Sequence, residues 1–442
     1  MMLVKRLSQS RHLFLLLLAL ALSVRIGASL ALGAVRSDPS FLDMDEQEYY
    51  QYAGDLLRGE YQFSSRRTLG HVVVIALYRL LSFDNFTVTQ LFTTAVFSLA
   101  APLTYLLVRR ITRNHLAAAI VAVLVIFWPP YIYYGNSLYS ETTALPMFTA
   151  FLLLLPRGSI LAVSPDGSWR RWVGCGVLLG LCMLIRPMYL IFVPFAVLIV
   201  VLEELRWATA LRHVGVFLAG CAIVLLPWSI YMSSHTGVPI LVSANGGETI
   251  SGGLNPRLVE HGYQTVITPD GRVTWTGPGK WLSIYDSGYL SLAEQNLPYV
   301  EQDKLLKQRT LSWISQHPAE TFYLQAAKLL YMWGFYPLRF DKQTLLGSLP
   351  TILALVLSVA SLLRFRHYSR HLCRFWLLPI FVSSVAFVSW GSWRFRQPGD
   401  LGLLVLSTLF LLSLFIQPPD LIRSPRFPAI NLPRIRQPSL RA

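Results

Sequence analysis

Long apolar runs, separated by short segments rich in arginine, recur along most of the chain. A helix that crosses a bilayer needs about 20 mainly apolar residues. Candidate segments fall at residues 13–34, 86–108, 116–134, 142–156, 172–185, 187–202, 213–228, 345–363, 375–390 and 401–416, roughly ten spans in all. The run at residues 71–83 is apolar but short, so it is expected to lie along the membrane interface or to re-enter it. Arg25 interrupts the first segment, and Ala31-Leu32-Gly33-Ala34 has the small residues of a signal-peptide cleavage site. The many later spans favour a retained first helix.

Charge orders these spans. With the N-terminus inside, the inner segments hold Lys5, Arg6 and Arg11; Arg109, Arg110 and Arg113; Arg157, Arg170 and Arg171; Arg206 and Arg212; and Arg364, Arg366, Arg370 and Arg374. Cytoplasmic loops carry such an excess of Lys and Arg. The first outer loop is the reverse, with Asp38, Asp43, Asp45, Glu46, Glu48, Asp55 and Glu60 against Arg36, Arg58, Arg66 and Arg67. The expected organisation is an N-terminal membrane module (1–228) with a long outer loop at 35–70, an outer domain (229–344), C-terminal membrane helices (345–416) and a basic tail (417–442). In the outer domain, Thr268-Pro269-Asp270-Gly271 between two β-branched stretches signals a hairpin. Two amphipathic helices follow, at residues 299–316 and 319–335, split at His317-Pro318. Tyr331, Trp333 and Tyr336 lead back to the membrane as an aromatic belt. The fold class is therefore an all-α polytopic membrane protein with a small α/β extracytoplasmic domain.

Composition agrees. The chain has 442 residues, 54% hydrophobic and 14% charged, against about 25% charged in soluble domains. The net charge of +15 sits in the inner segments and the tail, so it argues for a bilayer partner and not for nucleic acid. Cys175, Cys182 and Cys221 lie in apolar runs and Cys373 stands beside Arg374; none has metal-ligand spacing, and they read as small buried hydrophobes.

A few polar residues stand where chemistry is affordable. In Asp43-Met44-Asp45-Glu46-Gln47-Glu48-Tyr49, a helix starting at Met44 would put Asp45, Tyr49 and Tyr52 on one face. Asp43 and Glu46 have the spacing of a capping box, which leaves a purely structural reading open. Glu141 follows Tyr134 and Ser140 at the outer end of two apolar helices. An ionisable group at that depth marks a functional site, although Ser140 and Glu141 would also suit a helix start. Arg186 in Ile185-Arg186-Pro187, and Arg394 and Arg396 in Trp393-Arg394-Phe395-Arg396, lie at outer membrane edges against the charge bias. Such arginines either snorkel or together grip a phosphate. No nucleotide-binding glycine fingerprint and no His-Glu-x-x-His are present.

In this order, these pieces resemble the C-type membrane glycosyltransferases, specifically the protein O-mannosyltransferase and aminoarabinose-transferase superfamily. The residues that carry the resemblance are Asp45-Glu46-Gln47-Glu48-Tyr49, the Glu141 helix start, Ile185-Arg186-Pro187, Asn245-Gly246-Gly247 and Gly252-Gly253-Leu254-Asn255-Pro256 after Pro227-Trp228, Ala326-Ala327-Lys328 through Trp333, and Arg394-Phe395-Arg396-Gln397-Pro398. The resemblance implies transfer of a sugar from a polyprenyl-phosphate carrier to an envelope glycan, lipid or protein, at the outer face of a bacterial inner membrane. Asp45 would be the base and Glu141 its support, with Arg186, Arg394 and Arg66 on the donor phosphate. Glu46, Tyr49, Tyr134 and His71 would line the substrate site. No organic cofactor is implied, no metal ligands are assigned, and a divalent metal requirement stays open. One departure is visible: where such proteins often read Arg-x-Pro-Gly-Tyr-Pro, this chain has Arg66-Arg67-Thr68-Leu69-Gly70-His71, which implies a differently shaped pocket or altered activity. A transporter or lipid flippase, and a non-catalytic assembly protein that kept the fold, are the competing readings.

Overall fold

The computed structural model describes residues 2–31, 39, 42–62, 64–159, 168–260, 264–267, 273–283, 289–335 and 348–422. The expected turn at 268–271, Tyr336 and nearly all of the basic tail lie outside the described residues. In chain order the first helices are α1 (Met2–Ala31), α2 (Met44–Arg58), α3 (Leu69–Leu81), α4 (Phe86–Ser98), α5 (Ala100–Thr112), α6 (His115–Phe127) and α7 (Pro129–Tyr134). Then come α8 (Glu141–Leu154), α9 (Trp169–Ile185), α10 (Val193–Glu203) and α11 (Trp207–Thr236). The outer segment holds α12 (Gly246–Gly253), α13 (Pro256–Glu260), the strands β1 (Gln264–Ile267) and β2 (Val273–Thr276), α14 (Leu292–Gln295), α15 (Tyr299–Gln316) and α16 (Pro318–Met332). The chain closes with α17 (Leu349–Arg364), α18 (Cys373–Val388), α19 (Trp393–Leu412) and α20 (Pro418–Leu421).

A helix occupies each of the ten expected segments. Among the described residues, three are long and apolar enough to cross a membrane: His12–Ala31, Phe86–Thr112 and Trp207–Thr236. The third of these, α11, continues to Thr236, past the expected span end at 228. The other expected spans are shorter or, in α19, open on Arg394, Arg396 and Asp400. Their outward faces are nonetheless apolar. On α17, Leu349, Leu353, Val356, Val359 and Leu363 are each more than half exposed and recur at helical spacing. A stripe of that length would be a liability in water and is suited to lipid.

Close packing sets the helix positions. An added Cβ at Gly176 would come within 2.1 Å of the Phe217 carbonyl oxygen, and one at Gly220 within 2.3 Å of that of Val173. Glycine at both positions lets the α9 and α11 backbones touch, as small residues do in membrane bundles. At the far end of the bundle, Arg374 is fully buried and pairs with Glu203 through two contacts of 2.5 Å. It also donates to the carbonyls of Leu152, Leu155 and Pro156, which locks α8, α10 and α18 together. Arg374, counted above among the basic loop residues, is therefore an internal cross-link with every donor satisfied.

In the outer segment, β1 and β2 pair antiparallel, with Gln264 opposite Thr276 and Ile267 opposite Val273. The split between the two amphipathic helices falls at His317, where Pro318 opens α16. Leu254, Leu258, Leu282 and Leu324 form a small core of their own.

Candidate active site

Five segments meet at one end of the bundle: α2, the turn before α3, the start of α8, the residues after α9, and the start of α19. Local sequence explains the first. The Glu46 carboxylate accepts the Asp43 backbone N–H at 3.1 Å, one half of the anticipated capping box. Its other oxygen accepts the Leu138 N–H at 2.7 Å and ties α2 to the α7–α8 connection. Glu46 is only 2% exposed and both its oxygens accept backbone N–H groups, which braces α2 against the α7–α8 connection. The helix it starts presents Asp45 and Tyr49 inward, while Tyr52 turns away to pair with Tyr61.

Asp45 is gripped from two sides. Arg67 Nη2 reaches Oδ1 at 2.5 Å, and Arg394 Nη1 reaches Oδ2 at 3.0 Å. Arg394 also donates through Nε to Glu141 at 2.6 Å, and its guanidinium lies 3.7 Å from the centre of the Tyr139 ring. On its other side Glu141 meets Arg186 Nη1 at 2.5 Å; that nitrogen also donates to Ser140 Oγ at 3.0 Å. Asp45, Arg394, Glu141 and Arg186 thus form one continuous chain of charges drawn from four elements. Burial would raise the Asp45 carboxyl pKa, but Arg67 and Arg394 outweigh it and hold the group well below the usual carboxylate range.

Arg66 stands apart from Asp45. It donates twice to Glu248 of α12, at 2.7 and 3.0 Å, and once to Glu48, at 2.7 Å. It therefore links the first outer loop to the outer segment, and its neighbour Arg67 is the residue beside Asp45. A run of two arginines in the sequence cannot say which one turns inward. Glu48 joins them, accepting from Arg67 at 2.5 Å, and Tyr299 donates to Glu248. Glu48, Arg67, Glu248 and Tyr139 carry no site role in the sequence reading. The signal for Glu48 was its i, i+3 spacing from Asp45; Glu248 carried none.

His71 is fully buried, with Nε2 2.8 Å from the Leu138 carbonyl oxygen, and Tyr49 packs edge-on to it at 4.6 Å. It supports the floor of the site without opening into it. Tyr134 stands 6.3 Å from Tyr139 at the rim. The segment that departs from the family pattern is put to use: Thr68 Oγ1 bonds the Ile185 carbonyl at 3.3 Å, and a Cβ at Gly70 would lie 2.6 Å from the Leu184 carbonyl oxygen.

Four guanidiniums (Arg66, Arg67, Arg186, Arg394) meet four carboxylates (Asp45, Glu48, Glu141, Glu248). The carboxylates face cations and not one another, and among the described residues no three His, Cys, Asp or Glu side chains converge as metal ligands. Such a site is balanced as it stands. An incoming anion must take a guanidinium from a carboxylate, which frees that carboxylate.

Residues 67–231 match the family model described as dolichyl-phosphate-mannose-protein mannosyltransferase. The fold is similar to that of the archaeal oligosaccharyltransferase AglB from Archaeoglobus fulgidus, solved with an inhibitory peptide and a dolichol-phosphate: TM-score 0.52 and 14% identity over 92% of this chain. The apo form of that enzyme gives a TM-score of 0.51 at 12% identity over 90% of this chain. This chain spans 50% of the length of either. ArnT from Cupriavidus metallidurans in the apo state is more distant in shape, with a TM-score of 0.42 at 13% identity, covering 94% of this chain and 78% of its own. No curated protein sequence matches the chain.

Proposed function

We propose that this chain is a C-type membrane glycosyltransferase that transfers a sugar from a polyprenyl-phosphate donor to a hydroxyl of an envelope acceptor, at the outer membrane face; the family-model match at residues 67–231 and the fold similarity to the archaeal oligosaccharyltransferase support this reading. The observation that carries this reading is Arg394, which holds the Asp45 and Glu141 carboxylates at once, with Arg186 against the same Glu141. Arginines that converge from separate loops suit a phosphate.

The donor phosphate takes Arg394 and Arg186. Asp45 then loses one of its two cationic partners, its pKa rises, and it becomes a better base just where the acceptor arrives. The acceptor oxygen forms its bond to the anomeric carbon as the bond from that carbon to the phosphate oxygen breaks. Asp45 takes the hydroxyl proton, and the bonding pair leaves with the polyprenyl phosphate, whose added negative charge Arg394 and Arg186 stabilise. One direct displacement inverts the anomeric centre. Glu141 keeps its contact with Arg394 Nε and orients that guanidinium while Nη1 turns from Asp45 to the phosphate.

The test is a vesicle assay with the full chain, a labelled polyprenyl-phosphate sugar and a mixed envelope-acceptor extract. Time-dependent labelling of an acceptor with an inverted linkage supports the reading. A folded protein that transfers label from no such donor, and instead moves the intact lipid-linked sugar across the bilayer, overturns it in favour of a flippase.

A further inference from the structure

Trp172 and His213 lie near the starts of α9 and α11, at the end of α9 away from Arg186. Beyond the contact at Gly176 and Gly220, the rings of Trp172 and His213 stack with centroids 4.4 Å apart, and a cavity of about 280 Å³ opens beside them. Trp169, Trp172, Thr209, Arg212, His213 and Val216 line it. Trp172 is 2% exposed, yet its indole Nε1–H has no hydrogen-bond partner. His213 is 8% exposed, and its Nδ1 also has none; the nearest carboxylate oxygen, Glu204 Oε2, lies 3.9 Å away. A buried donor left unpaired costs about 1–3 kcal/mol, so a cavity lined with two such groups is built for something to fill it.

The occupant's chemistry follows from the lining. An indole N–H, a threonine hydroxyl, an imidazole and the Arg212 guanidinium offer mainly donors. Arg170 lies over the ring of the lining Trp169 at 5.7 Å, and Arg171 and Arg206 are close in sequence to lining residues, while Glu204 stands 3.9 Å from His213. That set suits an acceptor-rich anion. The place narrows it further. His213 lies six residues into α11, about 9 Å along the helix, and the exposed indoles of Trp169 and Trp207 mark the level of a membrane interface. Exposed Leu211 and Leu218 continue from the cavity along α11 as an apolar track. Basic pockets between membrane helices on the inner side take lipid headgroups.

We propose that this cavity holds the phosphate of an anionic membrane lipid, with its acyl chains along the outer face of α11. Arg212 pairs with the phosphate, the Trp172 indole donates to it, and His213 lies between that anion and Glu204. The site is separate from the sugar-transfer reading and stands without it.

The test is native mass spectrometry of the detergent-purified full chain, titrated with phosphatidylglycerol, with phosphatidylcholine and with glycerol 3-phosphate. Phosphatidylglycerol is expected to bind roughly tenfold or more tightly than phosphatidylcholine: both carry the phosphodiester, but the choline ammonium brings a cation beside Arg212 and offsets the charge-assisted bond, which is worth about that factor. Arg212→Glu should erase the preference, and Trp172→Phe, which keeps the ring and removes only the donor, should weaken phosphatidylglycerol severalfold; both variants should keep the wild-type elution profile. Equal retention of the two lipids overturns the proposal. A preference that neither variant changes places the lipid elsewhere and also overturns it. Binding of glycerol 3-phosphate as tight as that of phosphatidylglycerol overturns the lipid assignment.

Discussion

Arg394 Nη1 lies 3.0 Å from Asp45 Oδ2, although 349 residues separate them in the chain. The first outer loop and the last long helix therefore share one ion pair, and neither module holds the site alone. Replacing Arg394 with alanine would take one of two cationic partners from Asp45 and one of two from the buried Glu141. We expect a loss of transfer on the order of 100-fold or more, together with a lower Tm. Arg394→Lys keeps the charge but cannot serve both carboxylates with a planar fork. It should fold near-normally and still lose most activity. A lysine variant with wild-type turnover would show that one point charge is enough.

Gly70 is fixed by the Leu184 carbonyl against it. Alanine there would force the α3 start and the end of α9 apart, and Thr68 would lose its bond to Ile185. Overpacking of this kind costs roughly 1–3 kcal/mol. Gly70→Ala is expected to lower the Tm and to displace Arg67 and Arg186 together. The check is paired thermal unfolding and donor binding, both of which should fall; unchanged donor binding would mean that the segment can move without consequence for the site.

Lys328 of α16 is fully buried and its ammonium has no hydrogen-bond partner. Burial pushes its pKa down to about 7. The unfolded chain, with a lysine near 10.4, then binds more protons than the native one between about pH 7 and pH 10. Stability should rise with pH through that window. Lys328→Met fills the same space without charge, so at pH 7 its Tm should exceed that of the wild type by a few degrees, and its rise between pH 7 and pH 9 should be smaller. Unfolding scans at both values decide it; a less stable Lys328→Met would mean that the ammonium has a partner in the membrane-embedded protein.

Glu203 answers Arg374 at the end of the bundle away from the site. Removing one member of a buried pair costs about 3–5 kcal/mol. Glu203→Ala should therefore reduce folded yield and Tm sharply, with the kcat of the surviving fraction unchanged. A variant of normal stability and low kcat would move this pair from the frame of the protein into its mechanism.

The hydrophobic rhythm located a helix in each of the ten apolar segments, because a long apolar run has few alternatives in lipid. Pro318 showed where α15 gives way to α16. Proximity was harder to read. Asp45, Glu141, Arg186 and Arg394 stood out because charge at a membrane edge is expensive, and the structure brings those four together. Arg66 and Arg67 could not be told apart, since which guanidinium turns inward depends on Glu248, nearly two hundred residues away. Glu46 looked equally suited to substrate and to helix capping; its carboxylate caps α2 through the Asp43 N–H and also accepts the distant Leu138 N–H, which no local pattern reveals. The number of full crossings was also less legible than the helices themselves: short apolar helices and the polar start of α19 fit the spacing of a span without its length.

The most direct test of the central claim compares the wild type with Asp45→Asn in vesicles containing labelled polyprenyl-phosphate sugar, measuring donor binding and sugar transfer on the same preparation. Asparagine keeps the size of the side chain but cannot accept the proton. The expected result is retained donor binding and transfer reduced by at least about 100-fold. An Asp45→Asn protein that binds donor and transfers sugar at the wild-type rate would contradict the assignment of Asp45 as the base.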